Sequence, residues 1–62
     1  MKLKEFPNCV LEPLVKDNAY YYVVDDKGFY VFTNIEDMKQ QFGDSEVDEV
    51  KTTKCCTNIY VK

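Results

Sequence analysis

The chain has 62 residues and a formal charge of −3, with eight lysines but no arginine and no histidine. Without histidine, a Ser-His-Asp or Cys-His nucleophile system cannot be assembled. Without arginine or a basic cluster, the chain lacks the contacts that usually read phosphates and guanine edges. We therefore expect a protein that is not an enzyme, needs no cofactor and does not bind nucleic acid directly.

Size and cysteine content limit how the chain can be stabilised. A chain of this length buries only about 60% of the surface that its unfolded form exposes, and we expect one small domain over residues 1–62. Cys9, Cys55 and Cys56 are an odd set with an adjacent pair. This spacing is unlike a secreted disulfide framework or a C-x-x-C zinc site. We expect buried free thiols, a reducing compartment and no metal; one bridge from Cys9 to either Cys55 or Cys56 is the alternative.

The sequence shows no segment typical of a targeting signal or a membrane span. The first 16 residues contain no uninterrupted apolar segment of the signal-peptide type, and the longest apolar run, residues 19–24, is far too short to span a bilayer. We therefore expect a cytoplasmic protein without a membrane partner.

The first element with a clear pattern is a β-hairpin in AYYYVVDDKGFYVFTN, residues 19–34. Two β-branched and aromatic runs flank DDKG, where Gly28 can adopt the left-handed conformation of a hairpin turn. A two-residue loop at Lys27-Gly28 would shift the pairing by one residue relative to a loop of residues 26–28. With the longer loop, one face carries Tyr20, Tyr22, Val24, Tyr30 and Phe32, and the other carries Tyr21, Val23, Phe29, Val31 and Thr33.

A short helix over about residues 34–42 is predicted directly after the hairpin. Thr33 or Asn34 can cap its first turn, and Gly43 can end it. Its apolar side chains fall on one stripe at helical spacing. They are Ile35, Met38 and Phe42.

The flanking segments complete the predicted fold. CVLEPLV, residues 9–15, predicts an extended segment that Pro13 confines to a sheet edge or a bulge. Residues 46–62 predict one long bent strand or two short ones. The expected fold is α+β in the order β-β-β-α-β: a mostly antiparallel sheet of about three to five strands with the helix on one face.

A single helix covers only one face of such a sheet, although both faces of the hairpin are apolar. The other face could fold under the N-terminal segment, meet a copy of the chain, or meet another protein. Apolar patches and exposed tyrosines are typical of interaction surfaces. We expect a protein-binding module without a small-molecule ligand, whose contact residues are Tyr20, Tyr22, Tyr30 and Phe32.

The small size and skewed composition suggest a phage or mobile-element inhibitor of a host enzyme or defence complex. One alternative is an acidic DNA mimic that blocks a nucleic-acid enzyme. In DSEVDE, spaced carboxylates would line one side of an extended segment. Asp44, Glu46 and Asp48 would line that side, and the adjacent Glu49 is the fourth residue of the proposed mimic surface. A solvated loop is the simpler interpretation of that row, and a structural or homodimeric assembly protein is a third possible function.

Overall fold

The computed structural model describes all residues, 1–62, and confirms the α+β class. A 3₁₀ turn at Leu3–Glu5 precedes helix α1 (Asn8–Leu11), strands β1 (Tyr20–Asp25) and β2 (Gly28–Phe32), helix α2 (Ile35–Phe42), and strands β3 (Val47–Thr52) and β4 (Cys56–Val61). The four strands lie in the order β2-β1-β4-β3. The β1–β2 and β3–β4 pairs are antiparallel, and the central β1–β4 pair is parallel. None of the helices is long and apolar enough to cross a membrane.

The N-terminal segment differs from the prediction. Residues 9–15, predicted to be extended, contribute to the helical turn α1 and a loop, so the elements run β-β-α-β-β after it. β4 occupies the free edge of β1, and Leu11 is fully buried against the sheet. The Thr57 hydroxyl donates a 2.6 Å hydrogen bond to the Leu11 carbonyl, which fixes this segment over β4. This segment is therefore held on the sheet by the burial of Leu11 and not by pairing as a strand.

The predicted hairpin exists, but its predicted register is wrong by one residue. Asp25 pairs with Gly28, which leaves a two-residue loop of Asp26 and Lys27. Gly28 has a φ of +142°, a backbone conformation that L side chains rarely adopt. The Asp25 carboxylate also accepts the Lys27 amide at 2.8 Å, which stabilises the tight loop. The alternative loop at Lys27-Gly28 does not form either, but the observed loop mixes the two predicted sets of facing residues as that alternative would.

Helix α2 forms as predicted and packs its apolar stripe on the sheet. The Asn34 side chain caps it by accepting the amides of Glu36 and Asp37, at 2.8 Å and 3.4 Å. Ile35 and Met38 are buried, and Phe42 is half-buried against the core. The core is one cluster of eight residues: Leu3, Leu11, Ala19, Tyr21, Val23, Ile35, Met38 and Ile59.

All the covering segments lie on one side of the sheet. Tyr21 and Val23 of β1 pair with Thr57 and Ile59 of β4, and these four side chains project to the same face. The 3₁₀ turn, α1 and α2 contribute their buried residues to that same core. The N-terminal segment therefore shares the helix side of the sheet and does not cover the opposite face.

The Thr57 hydrogen bond gives a test of how the N-terminal segment is held. Thr57→Val keeps the shape of the side chain but leaves the buried Leu11 carbonyl without its donor, which should cost about 1–3 kcal/mol. In a domain of this size that corresponds to a melting temperature lower by roughly 4–8 °C per kcal/mol. Thermal and urea unfolding followed by circular dichroism would measure it.

Thr52→Val is the matched control, because Thr52 pairs with Thr57 across β3 and β4 but is exposed. It should change the free energy of unfolding little. Equal destabilisation by both substitutions would show that replacing any threonine by valine in these strands has this effect, and that the hydrogen bond to Leu11 is not its cause.

Candidate docking face

The sheet face opposite α2 is the candidate functional surface and is called the open face below. Strand alternation places on it Tyr20, Tyr22, Val24, Phe29, Val31, Cys56, Asn58 and Tyr60. None of these side chains belongs to the buried core. Phe29 is 65% exposed and Val31 is 50% exposed, although both are large and apolar. The open face is therefore an apolar sheet surface that the chain leaves in contact with solvent.

Three aromatic rings form a connected strip along the open face. The ring centroids of Tyr20 and Tyr22 lie 6.5 Å apart, and those of Tyr22 and Phe29 lie 6.2 Å apart in an edge-on arrangement. Such contacts limit the freedom of the rings before any partner arrives. The strip is thus a partly preorganised surface.

A shallow depression lies beside this strip. It has a volume of about 410 Å³ and opens broadly to solvent. Its lining is formed by Tyr22, Val24, Asp25, Gly28, Phe29 and Asn58. Small-molecule sites usually enclose most of their ligand. An open depression of this kind is better suited to one side chain projecting from a protein surface.

The other half of the open face, on β3 and β4, is polar. Lys51 forms a 3.5 Å ion pair with Glu49, and its ammonium nitrogen lies 5.8 Å from the centre of the Tyr60 ring. The lysine thus contacts an opposite charge and an aromatic face within the chain. The apolar surface is consequently concentrated on β1 and β2.

The predicted aromatic contact residues are divided between the two faces. Tyr20 and Tyr22 lie on the open face, whereas Tyr30 and Phe32 lie on the helix side. The Phe42 ring of α2 packs against both, with centroid distances of 4.9 Å to Tyr30 and 5.8 Å to Phe32. The structure instead adds Phe29 and Val31 to the open face. The signal that could have found them was the shorter hairpin loop, which places them beside Tyr22.

The predicted acidic row does not form one continuous side. Asp44 lies in the turn after α2, and a β-bulge between Val47 and Glu49 interrupts the alternation. Asp44 pairs with Lys4 at 2.7 Å, Glu46 pairs with the N-terminal ammonium at 2.8 Å, and Glu49 pairs with Lys51. Asp48 is the one member without an ion-pair partner. Most of the negative charge that DNA mimicry would need is therefore already paired with lysine or the N-terminus within the chain.

These ion pairs also shift the titration of their carboxylates. The hydrogen bond from Lys4, together with its charge, lowers the pKa of Asp44 and correspondingly raises the pKa of Lys4. The hydrogen bond and charge of the N-terminal ammonium lower the pKa of Glu46. Both carboxylates are exposed, so solvent screens the interactions. Their role is to attach the N-terminus to the segment between α2 and β3.

The cysteines are free thiols, but they are not buried as predicted. Cys9 and Cys55 are exposed, and Cys56 is half-buried. No group of three or more His, Cys, Asp or Glu side chains is placed to hold a metal ion.

Comparison with known proteins gives no relative to guide the functional conclusion. No protein-family model, no curated protein and no solved structure matches the chain. The geometry of the open face is therefore the main basis on which a function can be proposed.

The Lys4–Asp44 pair predicts a specific dependence of stability on pH. Because the folded-state pKa of Asp44 is lowered, its stabilising contribution is present at neutral pH and is lost as pH falls through that lowered pKa. Because the pKa of Lys4 is raised, the same contribution is lost again as alkaline pH rises through it. Asp44→Asn should slightly lower the melting temperature near neutral pH and make no difference at either extreme.

Asp48→Asn is the control, because Asp48 has no ion-pair partner. Melting temperatures of the wild type and both variants across the pH range would measure the effect. A deficit for Asp44→Asn that persists unchanged in strong acid would contradict the role given to this pair.

Proposed function

We propose that this protein is a protein-binding module whose open face docks on a partner presenting an apolar side chain bordered by basic residues. The observation that carries the proposal is the uncovered aromatic strip of Tyr20, Tyr22 and Phe29 beside the 410 Å³ depression. In a chain this small, exposing a large phenylalanine without a compensating use is unfavourable for solubility.

The residues of the strip are suited to carrying binding energy. Aromatic side chains bury a large area with few rotatable bonds, and they are enriched among residues that dominate interface energetics. Phe29 is the most exposed ring of the strip, and Tyr22 contacts it from the neighbouring strand. A partner side chain entering the depression would be enclosed by both rings.

The charge around the depression favours a basic partner. Asp25 lines it, Asp26 follows in the exposed loop, and neither forms an ion pair within the chain. The whole chain carries a formal charge of −3. Lysine or arginine at the edge of the partner's surface would be attracted to this end of the sheet. Two copies of the chain, equally negative, would repel each other there.

The free edge of the sheet beside this strip offers a second kind of contact. β2, with the sequence GFYVF, contains no charge and no proline, and no bulge interrupts its pairing. The opposite edge strand, β3, carries Asp48, Glu49 and Lys51 and a bulge, which are common protections against edge pairing. An extended partner segment could add to β2 while its side chains contact Phe29 and Val31.

In its more specific form, the proposed role is inhibition of a host enzyme or defence complex in the cytoplasm, as for a phage or mobile-element protein. The support is the absence of histidine and arginine, the small size and the skewed composition. Such a chain is better suited to occupying a site than to turning over a substrate. DNA mimicry is less favoured because three of its four proposed carboxylates are paired internally.

Phe29→Ser tests the docking proposal, because it removes the most exposed ring of the strip without entering the core. The variant should retain its melting temperature and lose at least about tenfold in affinity for the partner, which is about 1.4 kcal/mol. Parallel capture from a bacterial lysate with wild-type and variant proteins would identify the partner. Titration of the purified pair would then measure the affinity.

Leu14→Ser is the matched control, since Leu14 is an apolar residue that is 90% exposed but lies in the loop before β1. A true partner binds the wild type and Leu14→Ser equally and binds Phe29→Ser weakly. Equal binding to the wild type and both variants would reject the open face. Charge reversal at Asp48, which should have no effect, would separate docking from mimicry, and a dimer detected by light scattering would favour self-assembly.

A further inference from the structure

The turn between β3 and β4 brings two thiols together outside the aromatic strip. The sulfur atoms of Cys55 and Cys56 lie 3.6 Å apart. Adjacent residues within one strand point to opposite faces, but Cys55 lies in the turn and only Cys56 belongs to β4. Cys55 is exposed and Cys56 is half-buried, so reagents in solution can reach the pair.

The backbone around this pair is held by several hydrogen bonds. The Thr53 amide donates to the Cys56 carbonyl at 2.7 Å, and the Cys56 amide donates to the Thr53 hydroxyl oxygen at 3.1 Å. The Tyr20 amide donates to the Cys55 carbonyl at 3.3 Å, which ties the turn to β1. The fold therefore fixes the backbone of both cysteines before any ligand binds.

The spacing of the sulfurs suits chelation of one atom better than a bond between them. A disulfide needs about 2.0 Å between sulfurs and a Cα separation of at least about 4.4 Å. Neighbouring Cα atoms across a trans peptide are only about 3.8 Å apart. Two sulfurs that bind one atom at about 2.3 Å each, with an angle of roughly 95–110° between the two bonds, lie roughly 3.4–3.8 Å apart. The observed 3.6 Å is close to this second geometry.

We propose that Cys55 and Cys56 form a dithiol site for a soft, thiophilic centre that accepts two sulfur donors, such as a trivalent arsenical. A tetrahedral metal needs further protein ligands, and no third Cys, His, Asp or Glu is placed to supply one. A monosubstituted arsenic(III) carries its own third substituent and needs only the two thiols. Soft donors such as cysteine sulfur favour soft acceptors of this kind.

The reaction with phenylarsine oxide balances without an oxidant or reductant. Two S–H bonds break, two As–S bonds form, and the oxide oxygen leaves as water with both protons, while arsenic remains trivalent. The hydrogen bond between the two sulfurs, with burial and the neighbouring thiol's charge, raises the pKa of Cys56. The raised pKa favours the protonated thiol of Cys56. Two protonated thiols and the oxide yield the adduct and water, with no net proton released.

Mass spectrometry of the native protein treated with phenylarsine oxide tests the site. One adduct per chain should form and should resist a monothiol but yield to a small dithiol such as ethanedithiol. Cys55→Ser and Cys56→Ser should each lower the affinity by more than about tenfold, because the second sulfur attacks at a high effective concentration. Cys9→Ser, which alters the exposed thiol outside the pair, should leave the adduct unchanged.

The melting temperature in the presence of the arsenical tests whether folding prearranges the pair. A ligand that binds the folded chain more tightly than the unfolded chain raises the melting temperature. We expect a rise for the wild type and for Cys9→Ser, and none for either single variant of the pair. An adduct that forms with undiminished affinity in Cys55→Ser or Cys56→Ser would overturn the two-thiol site. An unchanged or lower melting temperature of the wild type would overturn prearrangement by the fold.

Discussion

The parallel pairing of β1 with β4 at the centre of the sheet is the constraint on which the rest of the structure depends. It aligns Val23 with Ile59, both fully buried, and so determines which face of the sheet is covered. A parallel pair needs a long connection between its strands, and β2, α2 and β3 all lie within that connection. With β1 and β4 in the centre, β2 and β3 must become the edges.

This arrangement leaves the molecule one-sided. The N-terminal turn, α1 and α2 all contribute to the core on one face, and none of these three elements covers the other. The same one-sidedness makes the proposed docking surface available at no cost to the core, because the exposed Phe29 and Val31 contribute little to the stability of the isolated domain. The two edge strands also differ. The charges and the bulge of β3 protect it against pairing with another chain, whereas β2 is neutral and has no such protection.

Local sequence chemistry determined most of the secondary structure. The hairpin follows from two aromatic and β-branched runs around a glycine turn, and α2 follows from the Asn34 cap and the stripe of Ile35 and Met38. Those signals involve residues only a few positions apart, so the sequence shows them directly. The two C-terminal strands were visible as a β-rich segment, but their separating turn at residues 53–55 has no glycine or proline to mark it.

Contacts between distant segments decided the rest. The hairpin register places Tyr30 and Phe32 against Phe42, and this packing cannot be read from the hairpin alone because either loop length fits its sequence. The N-terminal segment is held on the sheet by a buried hydrogen bond between Leu11 and Thr57, which are 46 positions apart. The sequence by itself thus determined that apolar sheet surface would exceed what one helix can cover. Tertiary packing alone decided which rings form that surplus, because a shift of one residue moves every side chain of a strand to the other face.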